Sequence, residues 1–183
     1  MKEIRIHARA GQGAITTAYI LGEAYFLKGM FACAFPHFGA ARMGAAMNAF
    51  VRADNKPVRI RSQIYEPDFV IVVDSTLMRS VNCLAGLRED GVAIINQREG
   101  VIIPRAKLKQ RIYVVPANKI AQETIGRPLG NTALLGAYAA ATGEIELEIL
   151  QNAIKARFAG KAQEGNLEAV RQGYEFIKNI NNK

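Results

Sequence analysis

A glycine-containing turn near the amino terminus carries the residue types best suited to binding chemistry. Residues 4–6 alternate as in a strand, Gly11-Gln12-Gly13 gives a turn signal, and apolar positions from Ile15 to Phe26 recur with helical spacing. A strand, a tight turn and a helix in this order direct backbone N–H groups outward, which favours a phosphate or carboxylate. Thr16 stands where a dinucleotide fingerprint needs glycine, so the turn predicts anion binding only in general terms.

Groups suited to acid–base or metal chemistry are few. His7 falls in the first predicted strand, where a core role is expected, and His37 falls in an apolar loop and is the better acid–base candidate. Cys33 and Cys83 are too far apart in sequence for zinc or iron–sulfur motifs, so we expect buried free thiols. We predict no catalytic residue and no metal site, and therefore a binding or scaffolding partner within a larger enzyme.

The stretch AFPHFGAARMG, residues 34–44, follows neither the strand nor the helix period and is predicted to be a loop. Loops that face water seldom carry this many aromatic and apolar residues, so this one either folds back onto the core or is covered by another chain, and we expect the second. The predicted interface residues are Phe35, Pro36, His37, Phe38, Arg42 and Met43.

The net charge of +8 is concentrated in the first third of the chain. Residues 1–61 hold nine Lys or Arg against three acidic residues, whereas residues 62–183 hold fifteen against thirteen. Such a surplus suits an anionic cofactor or an acidic partner subunit. The cations are dispersed and no recognition motif accompanies them, so nucleic acid is not expected as a partner.

Periodicity predicts an α/β fold, specifically a three-layer α/β/α domain whose mixed sheet includes one antiparallel hairpin. The hairpin is predicted to pair residues 46–53 with 58–64, with Arg52, Arg59 and Arg61 on one polar face. Buried strands are predicted at 69–73, 92–95 and 111–115. We expect a single domain over residues 1–183, with its C-terminal helical part from about 144 to 183.

Two predicted helices have identifiable starting signals. One follows the capping cluster after Asp74 and would bury Leu77, Val81 and Leu84. The other, rich in small residues, covers 131–143 with Asn131 or Thr132 as its cap and would allow close approach of a neighbour. No apolar run approaches the length of a membrane span, so we expect a cytoplasmic protein without a membrane partner.

Four blocks of sequence carry a resemblance to a known family. They are AGQGAIT at residues 10–16, AFPHFGAARMGA at 34–45, KPVRIRSQIYEPDFVIVVD at 56–74 and NTALLGAYAAATG at 131–143. In order and spacing, the blocks resemble the gamma subunit of the 2-oxoacid:ferredoxin oxidoreductases, represented by the pyruvate enzymes. The likeness extends over nearly the whole chain, and four separate blocks make it more specific than one glycine-rich turn.

The resemblance implies a complex that converts a 2-oxoacid, coenzyme A and oxidised ferredoxin to an acyl-CoA, carbon dioxide and reduced ferredoxin. It implies alpha, beta and delta subunits as partners, with ferredoxin reached through the complex. Thiamine diphosphate would be held by alpha and beta, and iron–sulfur clusters by beta and delta. This chain would bind no cofactor alone and would be inactive when isolated, contributing to assembly and to the admission of coenzyme A.

For this chain the resemblance implies contacts to coenzyme A or another phosphate at Gly11, Gln12, Gly13, Thr16 and Arg42. The family commonly begins this turn with G-x-G-G-Q-G, whereas Ala8 and Ala10 occupy the first two glycine positions here. A Cβ restricts positive φ and close approach, so phosphate contact at those two alanines is disfavoured. The alternatives are a stand-alone nucleotide- or phosphate-binding α/β module and an indolepyruvate oxidoreductase subunit. The sequence does not name the oxoacid.

Overall fold

The computed structural model describes residues 1–37, 43–103 and 109–181, which form a six-stranded mixed sheet with helices packed on one face. The strands are β1 Lys2–Arg9, β2 Phe31–His37, β3 Ala46–Asp54, β4 Phe69–Val72, β5 Val92–Asn96 and β6 Arg111–Val115. The helices are α1 Ala14–Leu27, α2 Ala117–Ile125, α3 Asn131–Thr142, α4 Leu147–Arg157 and α5 Gly160–Asn181, and a 3-10 helix covers Ser75–Arg79. The strand order is β2-β3-β1-β4-β5-β6.

Strand β1 lies in the middle of the sheet and separates two different environments. Its alternate residues Ile4, Ile6 and Ala8 are buried in the main core with α1 and α3. Because neighbouring side chains point to opposite faces of a strand, Arg5 and His7 lie on the other face. That second face carries a smaller apolar cluster, from Val70 to Ile95, under the 3-10 helix and irregular chain. We call these the helical face and the arginine face.

Strand pairing confirms the predicted α/β class and mixed sheet but corrects the hairpin. β1 pairs parallel with β4 and antiparallel with β3, and β3 pairs antiparallel with β2 on its other side. The predicted loop therefore begins as strand β2, with Pro36 tolerated because β2 is an edge strand. Residues 58–64, predicted as the hairpin's second strand, form no strand.

Buried arginine side chains explain why residues 58–64 do not pair. Arg52 donates to the carbonyl oxygens of Ile60, Ser62 and Gln63, at 3.2, 2.7 and 3.4 Å. Its Nε also bonds Glu3 Oε1 at 2.7 Å. The predicted shared face of Arg52, Arg59 and Arg61 is therefore wrong, since Arg52 is buried while the other two are exposed.

Asp74 caps the segment after β4, as predicted, because its carboxylate accepts from the backbone N–H of Thr76. The helix expected there is shorter, ending as a 3-10 helix at Arg79. Ser80 and Asn82, which favour turns over helix interiors, follow immediately. Leu77 is buried, whereas Val81 is exposed.

Helix α3 confirms the close approach expected from its small residues but not the expected caps. Its N-cap is Gly130 without a side-chain bond. Asn131 and Thr132 instead bond to other elements, the first to Gln12 and Thr17 and the second to Asn166. Both side chains therefore bond to other elements and do not cap α3, although local propensity favours them as caps. Helices α4 and α5 pack against α1 and α3.

Glycines on α3 and α5 let the two helix backbones touch, and this contact predicts a large stability effect. A Cβ at Gly136 would lie 2.0 Å from the Val170 carbonyl oxygen, and one at Gly173 2.0 Å from that of Ala133. Gly136→Ala or Gly173→Ala should therefore lower the free energy of unfolding by about 3 kcal/mol, measured by urea titration. Glu164→Ala on the exposed side of α5 should change it by less than about 0.5 kcal/mol. An equal effect of the three substitutions would contradict this packing.

Candidate functional site

A cleft of about 670 Å³ opens on the helical face beside the end of β1. Four of the predicted phosphate contacts, Gly11, Gln12, Gly13 and Thr16, line it. The fifth, Arg42, lies outside the described residues. The other walls come from the end of α2 and its following turn, the start of α3 and the start of α5. Those walls comprise Thr124, Ile125, Arg127, Leu129, Asn131, Thr132, Phe158, Lys161, Ala162 and Asn166, with Ile20 from α1.

The glycine turn, residues 10–13, has a backbone that requires glycine at two positions. Gly11 and Gly13 have φ of +93° and +78°, in the left-handed region that favours glycine. A Cβ at Gly13 would lie 3.0 Å from Asn131 Nδ2, which donates to the Gln12 carbonyl oxygen at 2.8 Å. The turn is therefore packed against the start of α3. Ala8 is buried inside β1, consistent with its exclusion as a phosphate contact.

The buried carboxylate of Asp74 fixes the glycine turn through hydrogen bonds and an ion pair. Asp74 Oδ2 accepts from Gln12 Nε2 at 2.7 Å and lies 3.4 Å from Arg9 Nε. Its Oδ1 accepts from the Thr76 backbone N–H and hydroxyl at 3.0 and 2.7 Å. Gln12 Oε1 accepts the Arg9 backbone N–H at 2.8 Å, so both ends of the Gln12 amide are engaged within the chain. Gln12 thus contributes backbone to the cleft and uses its side chain to fix the turn.

The environment of Asp74 also sets its ionisation. Burial by itself raises the pKa of this carboxyl, but hydrogen bonds from Gln12 and Thr76 and the charge of Arg98 outweigh burial and bring the pKa below its ordinary value. A carboxyl whose pKa is depressed on folding stabilises the fold above its unfolded pKa of about 3.9, and that contribution is lost as pH falls further.

Asp74→Asn should therefore destabilise the chain most at neutral pH. We expect the free energy of unfolding to fall by about 2 kcal/mol at pH 7, because a partly buried hydrogen-bonded carboxylate is lost. The difference from the unsubstituted chain should shrink as the pH falls below about 3.9 and through the lowered pKa of the wild-type carboxyl. Glu89→Gln breaks only the exposed Lys109–Glu89 pair and should change stability by less than about 0.5 kcal/mol at either pH. A pH-independent loss for Asp74→Asn would show that shape, not charge, is what matters.

The cleft favours anions because three helices begin at its walls. First-turn residues of α1, α3 and α5 line it, none of these helices has an acidic residue in its first turn, and α1 and α3 lack a side-chain cap. Their unpaired N–H groups and dipoles attract negative charge. Helix α2 lies with its C-terminal end at the cleft, and the dipole of that end disfavours an anion. Arg127, just after α2, and Lys161 of α5 bring positive charge to the same part of the cleft. Both cations are exposed, and no carboxylate is among the described lining residues.

The rest of the lining gives the cleft an apolar wall and a polar base. Ile20, Ile125, Leu129 and Phe158 supply the apolar surface. At the base, Thr132 donates to Asn166 Oδ1 at 3.0 Å, which joins α3 to α5. A site with cations at its rim and an apolar wall suits an anionic ligand that also carries an uncharged arm.

Three of the predicted interface residues, Phe35, Pro36 and His37, lie in β2, and Met43 lies beside the glycine turn. Phe35 packs on the Phe50 ring at 5.3 Å between centroids, and the exposed His37 bonds Gln63 Nε2 at 2.8 Å. Pro36 is half-buried in the same strand. Met43 is 87% exposed, and its sulfur lies 2.7 Å from the position that a Cβ on Gly11 would take. Phe38 and Arg42 lie outside the described residues, so their predicted roles stay predictions.

The two histidines lie away from the cleft. His7 is buried and accepts from Arg5 Nε at 3.0 Å. Burial, followed by the charge of Arg5, lowers the pKa of His7 to about 4, so it is neutral at pH 7. Cys83 is buried and Cys33 half-buried, both as free thiols. Within the described ranges, no three His, Cys, Asp or Glu side chains lie close enough to hold a metal ion.

Sequence reasoning missed Arg127, Lys161 and Asn131 as cleft residues. They follow the glycine turn by more than a hundred positions, and only the packing of α3 and α5 on α1 brings them to it. The available signals were weak. Residues 126–131, Gly-Arg-Pro-Leu-Gly-Asn, form a turn pattern before the small-residue helix, and Gly160-Lys161 stands at the start of the last helix.

Comparison with known proteins identifies the family. A family model described as pyruvate ferredoxin/flavodoxin oxidoreductase matches residues 3–176. The chain belongs to this family. The gamma subunit common to the pyruvate/ketoisovalerate oxidoreductases of Pyrococcus furiosus is 47% identical over 178 residues, covering 96% of each protein. The crystal structure of pyruvate oxidoreductase subunit PORC from Thermotoga maritima has a TM-score of 0.82 and 37% identity, covering 95% of each chain.

These full-length matches confirm the predicted gamma subunit of a 2-oxoacid:ferredoxin oxidoreductase, and they do not support the stand-alone nucleotide-binding module or the indolepyruvate alternative. A more distant likeness shows the same fold within a longer chain. In a 2-oxoglutarate:ferredoxin oxidoreductase from Magnetococcus marinus, with 2-oxoglutarate, coenzyme A and succinyl-CoA bound, it covers 31% of that chain. That match spans 97% of this chain at 18% identity and a TM-score of 0.79. Among the described residues, no helix has the length and apolar character of a membrane span.

Proposed function

We propose that this chain assembles with alpha, beta and delta subunits into a cytoplasmic, CoA-acylating 2-oxoacid:ferredoxin oxidoreductase and supplies part of the coenzyme A site. The sequence similarity to gamma subunits, which extends over nearly the whole chain, supports the first part of the proposal. The cationic cleft beside the glycine turn supports the second. Thiamine diphosphate and the iron–sulfur clusters are assigned to the other subunits, and ferredoxin is reached through the complex.

The choice of oxoacid is assigned to other subunits. The Pyrococcus furiosus relative is named as common to pyruvate and ketoisovalerate oxidoreductases, so that gamma subunit serves enzymes for two different oxoacids. In this chain, the side chains that line the cleft are cationic, amide-bearing, hydroxyl-bearing or apolar. A side chain that distinguishes a methyl from an isopropyl group would act at the reacting carbon, which this proposal places elsewhere in the complex.

Coenzyme A fits the two kinds of surface that the cleft presents. Its phosphates would lie toward the glycine turn and the helix starts, where backbone N–H groups of residues 14–16 have no intrahelical acceptor. Arg127 and Lys161 would pair with phosphate charge, and the Thr16 hydroxyl makes no hydrogen bond to the described residues. The uncharged arm would pass along Ile20, Leu129 and Phe158. Coenzyme A supplies the thiol that accepts the acyl group.

Arg127→Gln combined with Lys161→Gln tests the coenzyme A assignment. Removing two phosphate partners should raise the KM for coenzyme A about tenfold or more in the assembled enzyme, while kcat at saturation falls little. The KM for the oxoacid should stay the same. Both side chains are exposed, so the fold should be unaffected.

Lys155→Gln serves as the matched control, because it removes an exposed cation from α4 outside the cleft. It should leave the KM for coenzyme A unchanged. A double variant with unaltered KM would contradict the coenzyme A role of this cleft, whereas failure of the double variant to enter the complex would favour a purely structural role.

Assembly has its own test. Affinity purification of the tagged full chain from its native cells should recover thiamine diphosphate-containing and iron–sulfur subunits in equal amounts, with oxoacid- and CoA-dependent ferredoxin reduction in the eluate. The isolated chain should show no such activity. Recovery of a stable native complex without a thiamine diphosphate subunit would reject the proposed function.

A further inference from the structure

An irregular segment on the arginine face accepts hydrogen bonds from two buried guanidinium groups. We call residues 55–66 the strap; it contains no helix or strand. Arg52 bonds the carbonyl oxygens of residues 60, 62 and 63, and Arg5 bonds those of Ile64 and Tyr65 at 3.2 and 3.3 Å. Gln63 also bonds His37 of β2. These anchors hold the backbone of residues 60–65, from which Ile60, Arg61 and Tyr65 project into solvent.

The outward side chains of the strap are cationic and apolar. Lys56, Arg59 and Arg61 are exposed and form no ion pair with the described residues. Ile60 and Tyr65 are 52% and 72% exposed among them. Exposed arginine and tyrosine beside an exposed apolar side chain is the composition enriched at protein–protein interfaces.

A further positive charge lies directly beneath the strap. Arg5 is 7% exposed and donates to His7 and to carbonyl oxygens, including those of Cys83 and Ala85, but contacts no carboxylate in the described part of the chain. Arg52, by contrast, has Glu3 as its partner. Glu66 is the only acidic residue of the strap itself. The strap therefore has a surplus of positive charge, and Arg5 beneath it has no carboxylate partner among the described residues.

We infer that the strap is a docking surface for an acidic patch on another subunit of the oxidoreductase. The inference rests on the proposed function only in taking the partner from the same complex. Charge complementarity favours an acidic partner surface. The exposed Ile60 and Tyr65 favour a protein partner, and three dispersed cations would bind a nucleic acid only weakly. Phe35 and His37, predicted interface residues, adjoin the strap through Arg52 and Gln63. The cleft lies on the opposite face of the sheet, so both surfaces are available together.

Charge reversal of the strap tests this inference. The remaining subunits of the purified enzyme serve as the probe, and their affinity for the full chain is measured at about 0.05 M and about 0.3 M salt, where the screening lengths differ by more than twofold. Arg59→Glu combined with Arg61→Glu should weaken binding at least about tenfold at low salt and less at high salt. Arg59→Lys with Arg61→Lys, which keeps the charge, should retain most of the affinity.

The matched control is Lys119→Glu with Lys155→Glu, which makes the same change of charge on exposed positions of α2 and α4. It should bind like the unsubstituted chain. Equal binding by strap and control variants overturns the inference, as does a loss that is the same at both salt concentrations. Loss of RNA binding with unchanged subunit affinity overturns it in favour of nucleic acid. If the unsubstituted chain fails to bind the other subunits, the proposed function and this inference both fall.

Discussion

The carboxyl-end edge of the sheet depends on the buried carboxylate of Asp74. Strands β1 and β4 are parallel neighbours, and the chain leaves them toward opposite faces, into α1 after one and into the 3-10 helix after the other. In open α/β sheets a reversal of this kind leaves a crevice that often holds a ligand. Here Gln12, Arg9 and Thr76 fill the crevice around the carboxylate. The open space lies instead beside it, between the starts of α1, α3 and α5.

The same network joins three loops that would otherwise be independent. Arg9 reaches the Gly44 carbonyl oxygen at 3.1 Å and the Thr76 hydroxyl at 3.2 Å, while Asp74 holds Gln12. Ala10 exchanges backbone hydrogen bonds with Gly44 and Ala45. The glycine turn, the end of the 38–45 connection and the junction after β4 therefore share one set of polar contacts. Any displacement of one loop has to break charge-assisted bonds in the others.

Strong local patterns predicted most of the fold. The continuous apolar runs identified β4 and β5, because strands buried on both faces need no alternation. Strand β6 was also located correctly, but it is a half-buried edge strand and not the buried strand predicted. The prediction of a second hairpin strand was wrong for a physical reason that a local sequence pattern does not contain. Residues 58–64 alternate suitably, yet their carbonyl groups bond to Arg52 and Arg5, which belong to other strands. Likewise Asn131 has the chemistry of a cap but serves the glycine turn more than a hundred residues away.

The glycine turn was predictable because its turn chemistry is local, whereas the cations opposite it were not. Positive φ at Gly11 and Gly13 follows from residue type and spacing. Arg127 and Lys161 meet the turn only after Gly136 and Gly173 allow α3 and α5 to pack backbone against backbone. A substitution in that distant helix contact would therefore alter the cleft without touching any residue that lines it.

The titratable side chains of this chain favour a contribution to the reaction through binding energy and not through proton transfer. His7 has a pKa near 4 because it is buried beside Arg5, and His37 bonds to the strap on the face away from the cleft. The cleft offers cations, amides, hydroxyl groups and helix starts, which attract an anion but transfer no proton near pH 7. Contacts to a part of coenzyme A remote from its thiol would orient the thiol toward a reacting centre on another subunit, and such remote binding energy is one recognised source of catalysis. Under the proposed function, this subunit would raise the rate by positioning coenzyme A.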